Sequence, residues 1–222
     1  MPDLTPLWLT LRVASFATAI AFVFAVGFAW LTARFNFWGR DFLDAVLTLP
    51  LVMPPTVLGY YLIVVWGRNG WLGAWLQDHL GVSLMFTWQG AVLAATVVSF
   101  PLLFKSARAA FEGVSTEYEQ AARILGDTEL RVFFRITLPL AARGLLAGTM
   151  LAFARAMGDF GATLMVAGNI EGKTQTAALA VFDAVQAGDY TLANTLVAIM
   201  SVVCVTILVM TNKLASRGRG GR

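Results

Sequence analysis

The 222-residue chain is 58% hydrophobic and only 13% charged, where a soluble domain carries about 25% charge. That balance excludes a soluble enzyme and points to an integral membrane protein, all-α, built as one domain over 1–222. The formal net charge of +3 comes from basic residues in short loops beside apolar runs, so it reports membrane topology rather than nucleic-acid binding.

Five apolar runs are long enough to cross about 30 Å of hydrocarbon. The first covers 7–33, with Arg12 near its start. Its length, the preceding Asp3 and the lack of a basic leader argue against a signal peptide. The second covers 43–66 and contains Pro50, Pro54 and Pro55, each lacking an N–H and each expected to disturb the helical ladder. A loop over 67–86 holds an amphipathic piece at 71–80. The third span covers 87–104 and extends as a helix toward Phe111. A polar loop follows over 112–138. The fourth span covers 140–166. Residues 176–186 predict a short helix of about 18 Å, too short to cross. The fifth span covers 192–214 and holds Cys204, which offers neither a disulfide framework nor a metal site.

Lysine and arginine set the orientation. Arg34, Arg40, Lys105, Arg108, Arg123, Arg131, Arg135, Arg143, Lys213, Arg217, Arg219 and Arg222 fall at one set of span ends, 12 of the 16 basic residues. The positive-inside bias makes those ends cytoplasmic. Five spans then put the N-terminus outside and the C-terminus inside.

The 112–138 loop carries the most specific pattern. Thr116 and Glu119 read as a capping box opening a helix. Gly126 reads as its left-handed stop. Asp127 or Thr128 caps a second short helix, and Pro139 opens the next span. Tyr118, Ala121, Ala122 and Leu125 form a small apolar face suited to a groove on another protein. From the residues alone, a helix pair lying flat on the membrane is equally open. The sequence Glu119-Gln120-Ala121-Ala122, then Gly126, then Ile136, Leu138 and Pro139, resembles the cytoplasmic coupling loop of ATP-binding-cassette (ABC) importer permeases, the loop that docks into an ATPase subunit. Gln120 stands where that family usually has Glu.

Further stretches resemble the molybdate ABC transporter permeases: Leu49 through Pro54-Pro55-Thr56 to Leu62, Gly158-Asp159-Phe160-Gly161 through Ile170, and Gly172-Lys173-Thr174-Gln175-Thr176. The resemblance covers nearly the whole chain. It implies a type I ABC importer permease fold in the cytoplasmic membrane and alternating-access import of molybdate or tungstate. It implies a homodimer with two ATPase subunits and an extracytoplasmic oxyanion-binding protein. ATP and Mg would be used by the partner and no cofactor by this chain. Other permease readings are a sulfate or amino-acid importer. A passive channel or scaffold explains the spans but not the loop spacing.

Candidates for the pathway or its gate are Pro54, Pro55, Thr56 and Gly59 in the second span, Ser99 in the third, and Arg155, Asp159 and Thr163 in the fourth. Charges at membrane depth face a bundle interior or cavity. Arg155 and Asp159, four apart, either line the anion route or neutralise each other. The hydroxyls either face the route or bond back to their own helices. Gly144, Gly148, Ala152 and Ala156 form a small-residue stripe that packs either within the chain or across a dimer. Residues 168–174 mimic a phosphate-binding loop, but the required first glycine is Ala167. His79 has no cysteine or carboxylate cluster beside it in sequence, so no metal site is expected.

Overall fold

The computed structural model describes residues 4–216. Asp3 and the basic residues Arg217, Arg219 and Arg222 lie outside the described residues. Helix α1 runs Thr5–Arg34, α5 runs Trp88–Glu112 and α8 runs Leu138–Met157. These three pack together as the centre of an all-helical bundle. Alanines decide how closely they approach. Ala17, Ala21, Ala25 and Ala29 recur every fourth residue of α1 and are fully buried, as are Ala91, Ala94, Ala95 and Ala107 of α5. Small side chains at helical spacing bring backbones near each other where lipid supplies no hydrophobic drive. The stripe Gly144, Gly148, Ala152, Ala156 serves the same purpose inside the chain. A Cβ added to Gly144 would lie 2.6 Å from that of Ala110, and one on Gly148 would lie 2.5 Å from that of Ser106.

The run 43–66 is not one straight span. It divides into α2, Arg40–Val52, and α3, Pro55–Trp66, bent by 116° at the break. The cause is local. Met53 precedes Pro54 and Pro54 precedes Pro55, and a residue before proline is driven out of the α region. Accordingly Met53 sits at φ −71°, ψ 141° and Pro54 at φ −56°, ψ 135°. Pro55 then starts α3, where its missing N–H costs no bond. Pro50, expected to disturb the ladder, lies inside α2 without ending it.

The short α4, Trp71–Leu80, leads through a loop to α5, whose N-cap Thr87 accepts from Gly90 N–H at 3.2 Å. Two short helices, α6 (Thr116–Ile124) and α7 (Glu129–Val132), precede α8, and a π turn over Phe133–Thr137 joins α7 to α8. The helix therefore runs from Glu129 to Met157, starting well before the expected 140. It also ends before 166. Gly158, Asp159 and Phe160 interrupt it, and α9 resumes over Gly161–Ala167. Helix α10, Ala177–Gln186, is short, and α11, Tyr190–Ser216, packs on α8 and α10. Among the described residues, the helices long and apolar enough to cross a membrane are α1, α5, the Glu129–Met157 helix and α11; the bent α2–α3 pair brings the number to five when it is counted as one broken span.

Candidate coupling site

The polar loop is a folded unit attached to one end of the bundle. Its first cap differs from the expected capping box. Ser115, not Thr116, is the N-cap, and its hydroxyl accepts from Glu117 N–H at 3.3 Å. Thr116 is the first residue of α6, and Glu119 turns away from the cap. The stop is as the sequence predicts. Gly126 has φ +91°, its N–H bonds Arg123 O at 3.0 Å, and Asp127 N–H reaches Ala122 O at 3.1 Å. That pair of bonds is a Schellman motif. A Cβ at Gly126 would meet nothing within 4 Å, so the glycine is required by its backbone angle alone.

Across this turn Arg123 grips Glu129 through two bonds, 2.6 and 3.0 Å, folding α7 back against α6. The bond from Arg123 holds the Glu129 carboxyl below its ordinary range, and Glu129 raises the Arg123 guanidinium. Thr128 is the N-cap of α7 by backbone position, without a side-chain bond. Pro139 does not open a new helix. It sits near the start of α8, just after the π turn, where Leu138 N–H reaches back to Phe133 O. A proline leaves the carbonyl four residues earlier without its helical donor, and a widened turn is how helices absorb such a defect.

Glu119 is the pivot. It is only 2% exposed. Its Oε1 accepts from Thr137 Oγ1 at 2.6 Å and lies 2.8 Å from Arg34 Nη2 at the end of α1. The same Arg34 nitrogen donates to Val114 O at 3.2 Å. Glu119, Arg34 and Thr137 border a polar cavity of about 200 Å³ that Gln120 and Arg123 also line. Ala122 is buried beside them, so it does not belong to the exposed apolar face as expected. That face consists of Tyr118, Ala121, Ile124 and Leu125, with Ile124 and Leu125 each 86% exposed. Gln120 is exposed, while Ile136 and Leu138 are half-buried where the π turn meets α8. Arg34 and Thr137 escaped the sequence reading. Arg34 registers there only as an inside-positive charge, and nothing in linear spacing pairs it with Glu119.

Most of the pathway candidates lie at the α2–α3 bend and on α9, which packs against α3, or at the break before α9; Ser99 is not brought to them. Gly59 and Gly161 let α3 and α9 touch. A Cβ on Gly59 would lie 2.6 Å from Met165 Cβ, and one on Gly161 2.9 Å from Pro55 Cβ. Pro54, Pro55 and Thr56 are exposed at the bend. Arg155 Nη1 stands 3.8 Å from Asp159 Oδ1, across the end of α8 rather than along a continuous helix. Thr163 is buried and its hydroxyl donates to Asp159. Ser99 is fully buried and donates to Ala95 O at 2.7 Å, bonding back to its own helix.

A family model described as "Binding-protein-dependent transport system inner membrane component" matches residues 14–217. The chain belongs to this family. The chain is similar to the molybdenum transport system permease protein ModB of Escherichia coli K12, 46% identical over all of this chain and 98% of that protein. The sulfate transport system permease protein CysT of the same organism is 34% identical, over 94% of this chain and 75% of its own length. Among solved structures, an inward-facing MetNI methionine ABC transporter matches with TM-score 0.68 at 16% identity, over 96% of this chain and 94% of that one. The fold is therefore that of an ABC importer permease, a multi-pass protein of the inner membrane.

Proposed function

We propose that this chain is the membrane-spanning subunit of an ABC importer for molybdate, with tungstate as an equivalent tetrahedral dianion. The observation that carries the substrate class is the 46% identity to a molybdenum permease along the entire chain. The lower identity to a sulfate permease supports sulfate as the second reading. Two copies of the chain pair with two ATPase subunits, and an extracytoplasmic binding protein delivers the anion to the outer mouth. ATP and Mg are used by the partner ATPases, and this chain carries no ATPase chemistry. The α6 face of Tyr118, Ala121, Ile124 and Leu125 enters a groove on the ATPase. Glu119, Ala122, Gly126, Ile136, Leu138 and Pro139 hold that face in place. ATP-driven closure pushes this loop, and the bundle rocks between inward and outward openings.

The loop end faces the cytoplasm, because the basic residues cluster there. The bend at Met53–Pro54, packed against α9, is the gate region. The freed backbone groups at membrane depth require protein or water around them. Arg155 is partly neutralised by Asp159, which suits a route that must pass the anion without trapping it. The test is uptake of labelled molybdate into proteoliposomes holding the permease, its ATPase and its binding protein. Excess tungstate should abolish uptake and excess sulfate should leave it intact. Competition by sulfate at equal concentration would replace the molybdate reading with the sulfate one.

A further inference from the structure

Helix α6 is nine residues long and packs chiefly on α7 and the π turn, with little grip on the bundle helices. Among its residues only Glu119 and Ala122 are buried. Ala122 supplies one methyl. Glu119 is bonded on one side to Arg34, the last residue of α1, and on the other to Thr137, the last residue of the π turn. The π turn is itself wedged into the bundle. The Phe133 ring lies 5.1 Å from that of Trp30 in α1 and 6.1 Å from that of Phe111 in α5. The arrangement is costly. Burying an ion pair gains little net stability over apolar packing. Arg34 Nε is buried with no hydrogen-bond partner among the described residues. A device that adds little stability yet joins three elements fits a role in fixing their relative position.

We infer that Glu119 is a positioning residue that locks the coupling helix to α1, so that the two move as one body during transport. A push on the exposed face of α6 passes through Arg34 into α1, and through Thr137 into α8. Because α1 packs along α5 and α8, that single joint delivers the displacement to the central bundle. Gln120, the neighbouring residue at the position the family usually fills with Glu, faces outward and takes no part in the lock.

The inference rests on the permease reading, and the experiment separates the two. The full complex with ATPase and binding protein is reconstituted, and molybdate taken up per ATP hydrolysed is measured for wild type, Glu119→Gln and the pair Arg34→Met with Glu119→Leu. Glu119→Gln keeps an acceptor for Thr137 and removes the ion pair. The apolar pair removes the buried charges and so restores folding if the single variant loses it. Both variants should hydrolyse ATP while uptake per ATP falls at least about fivefold, the lower end of couplings between distinct sites. Wild-type uptake per ATP in the folded apolar pair would overturn the lock, because packing alone would then suffice. A wild-type complex that takes up no molybdate despite ATP hydrolysis would overturn the substrate reading and the inference with it.

Discussion

One carboxylate oxygen of Asp159 accepts both the backbone N–H of Thr163, at 2.9 Å, and its hydroxyl, at 2.7 Å. One of the three residues that interrupt the fourth span thus also satisfies an N–H in the first turn of α9, from the position just before its N-cap, Phe160. Asp159 faces Arg155 with its other oxygen, which is buried and has no hydrogen-bond partner among the described residues. Its two roles are separable.

Asp159→Asn keeps an oxygen for Thr163 and loses the charge. Asp159→Ala loses both. The alanine variant should be destabilised by about 1–2 kcal/mol beyond the asparagine variant, the usual worth of such a cap. Thermal inactivation of the purified protein measures the difference. Equal losses in the two variants would mean that the charge facing Arg155, not the cap, holds this corner.

Much of the architecture is legible in the residues, and what is hidden has a common cause. The Pro54-Pro55 pair announces a break because each proline dictates its predecessor's backbone. The left-handed stop at Gly126 is readable for the same reason, since both are local. The direction of the 116° bend, by contrast, depends on where α9 lies. Thr116 and Glu119 satisfy a local capping pattern, yet Arg34 on a distant helix offers Glu119 a charged partner and Ser115 takes over the cap. A local rule failed where a tertiary ion pair competed with it. The π turn was invisible because Pro139 is as acceptable at a helix start as just after a widened turn.

Close packing of the bend on α9 gives a second expectation. Gly59→Ala would place its Cβ 2.6 Å from Met165 Cβ. Overpacking of that kind costs about 1–3 kcal/mol. Gly27→Ala in α1 has open space around its new methyl and should be neutral or stabilising by up to about 1 kcal/mol. Parallel melting curves test the pair. A Gly59→Ala protein as stable as Gly27→Ala would mean that α3 and α9 do not touch as described.

The turn at Gly126 gives a third. Its φ of +91° with free space around it makes side-chain size irrelevant and backbone angle decisive. Gly126→Val should strain the turn by about 1–2 kcal/mol or more. Gly126→Asn should be much milder, because asparagine tolerates left-handed backbone. Binding-protein-stimulated ATP hydrolysis should be lost in the valine variant and largely kept in the asparagine variant. Unchanged stimulation in Gly126→Val would falsify the role of this turn in coupling.

The central claim is that the exposed face of α6 is where the ATPase docks. Cys204 is the only cysteine, so a Cys204→Ala background admits single reporters for cross-linking to the partner. Leu125→Cys, at a position 86% exposed, should cross-link efficiently to the ATPase subunit in the assembled importer. Ala122→Cys, at a buried position on the same helix, should not, and neither should Trp75→Cys in α4. Cross-linking from position 75, with none from position 125 in a complex that hydrolyses ATP, would contradict the account.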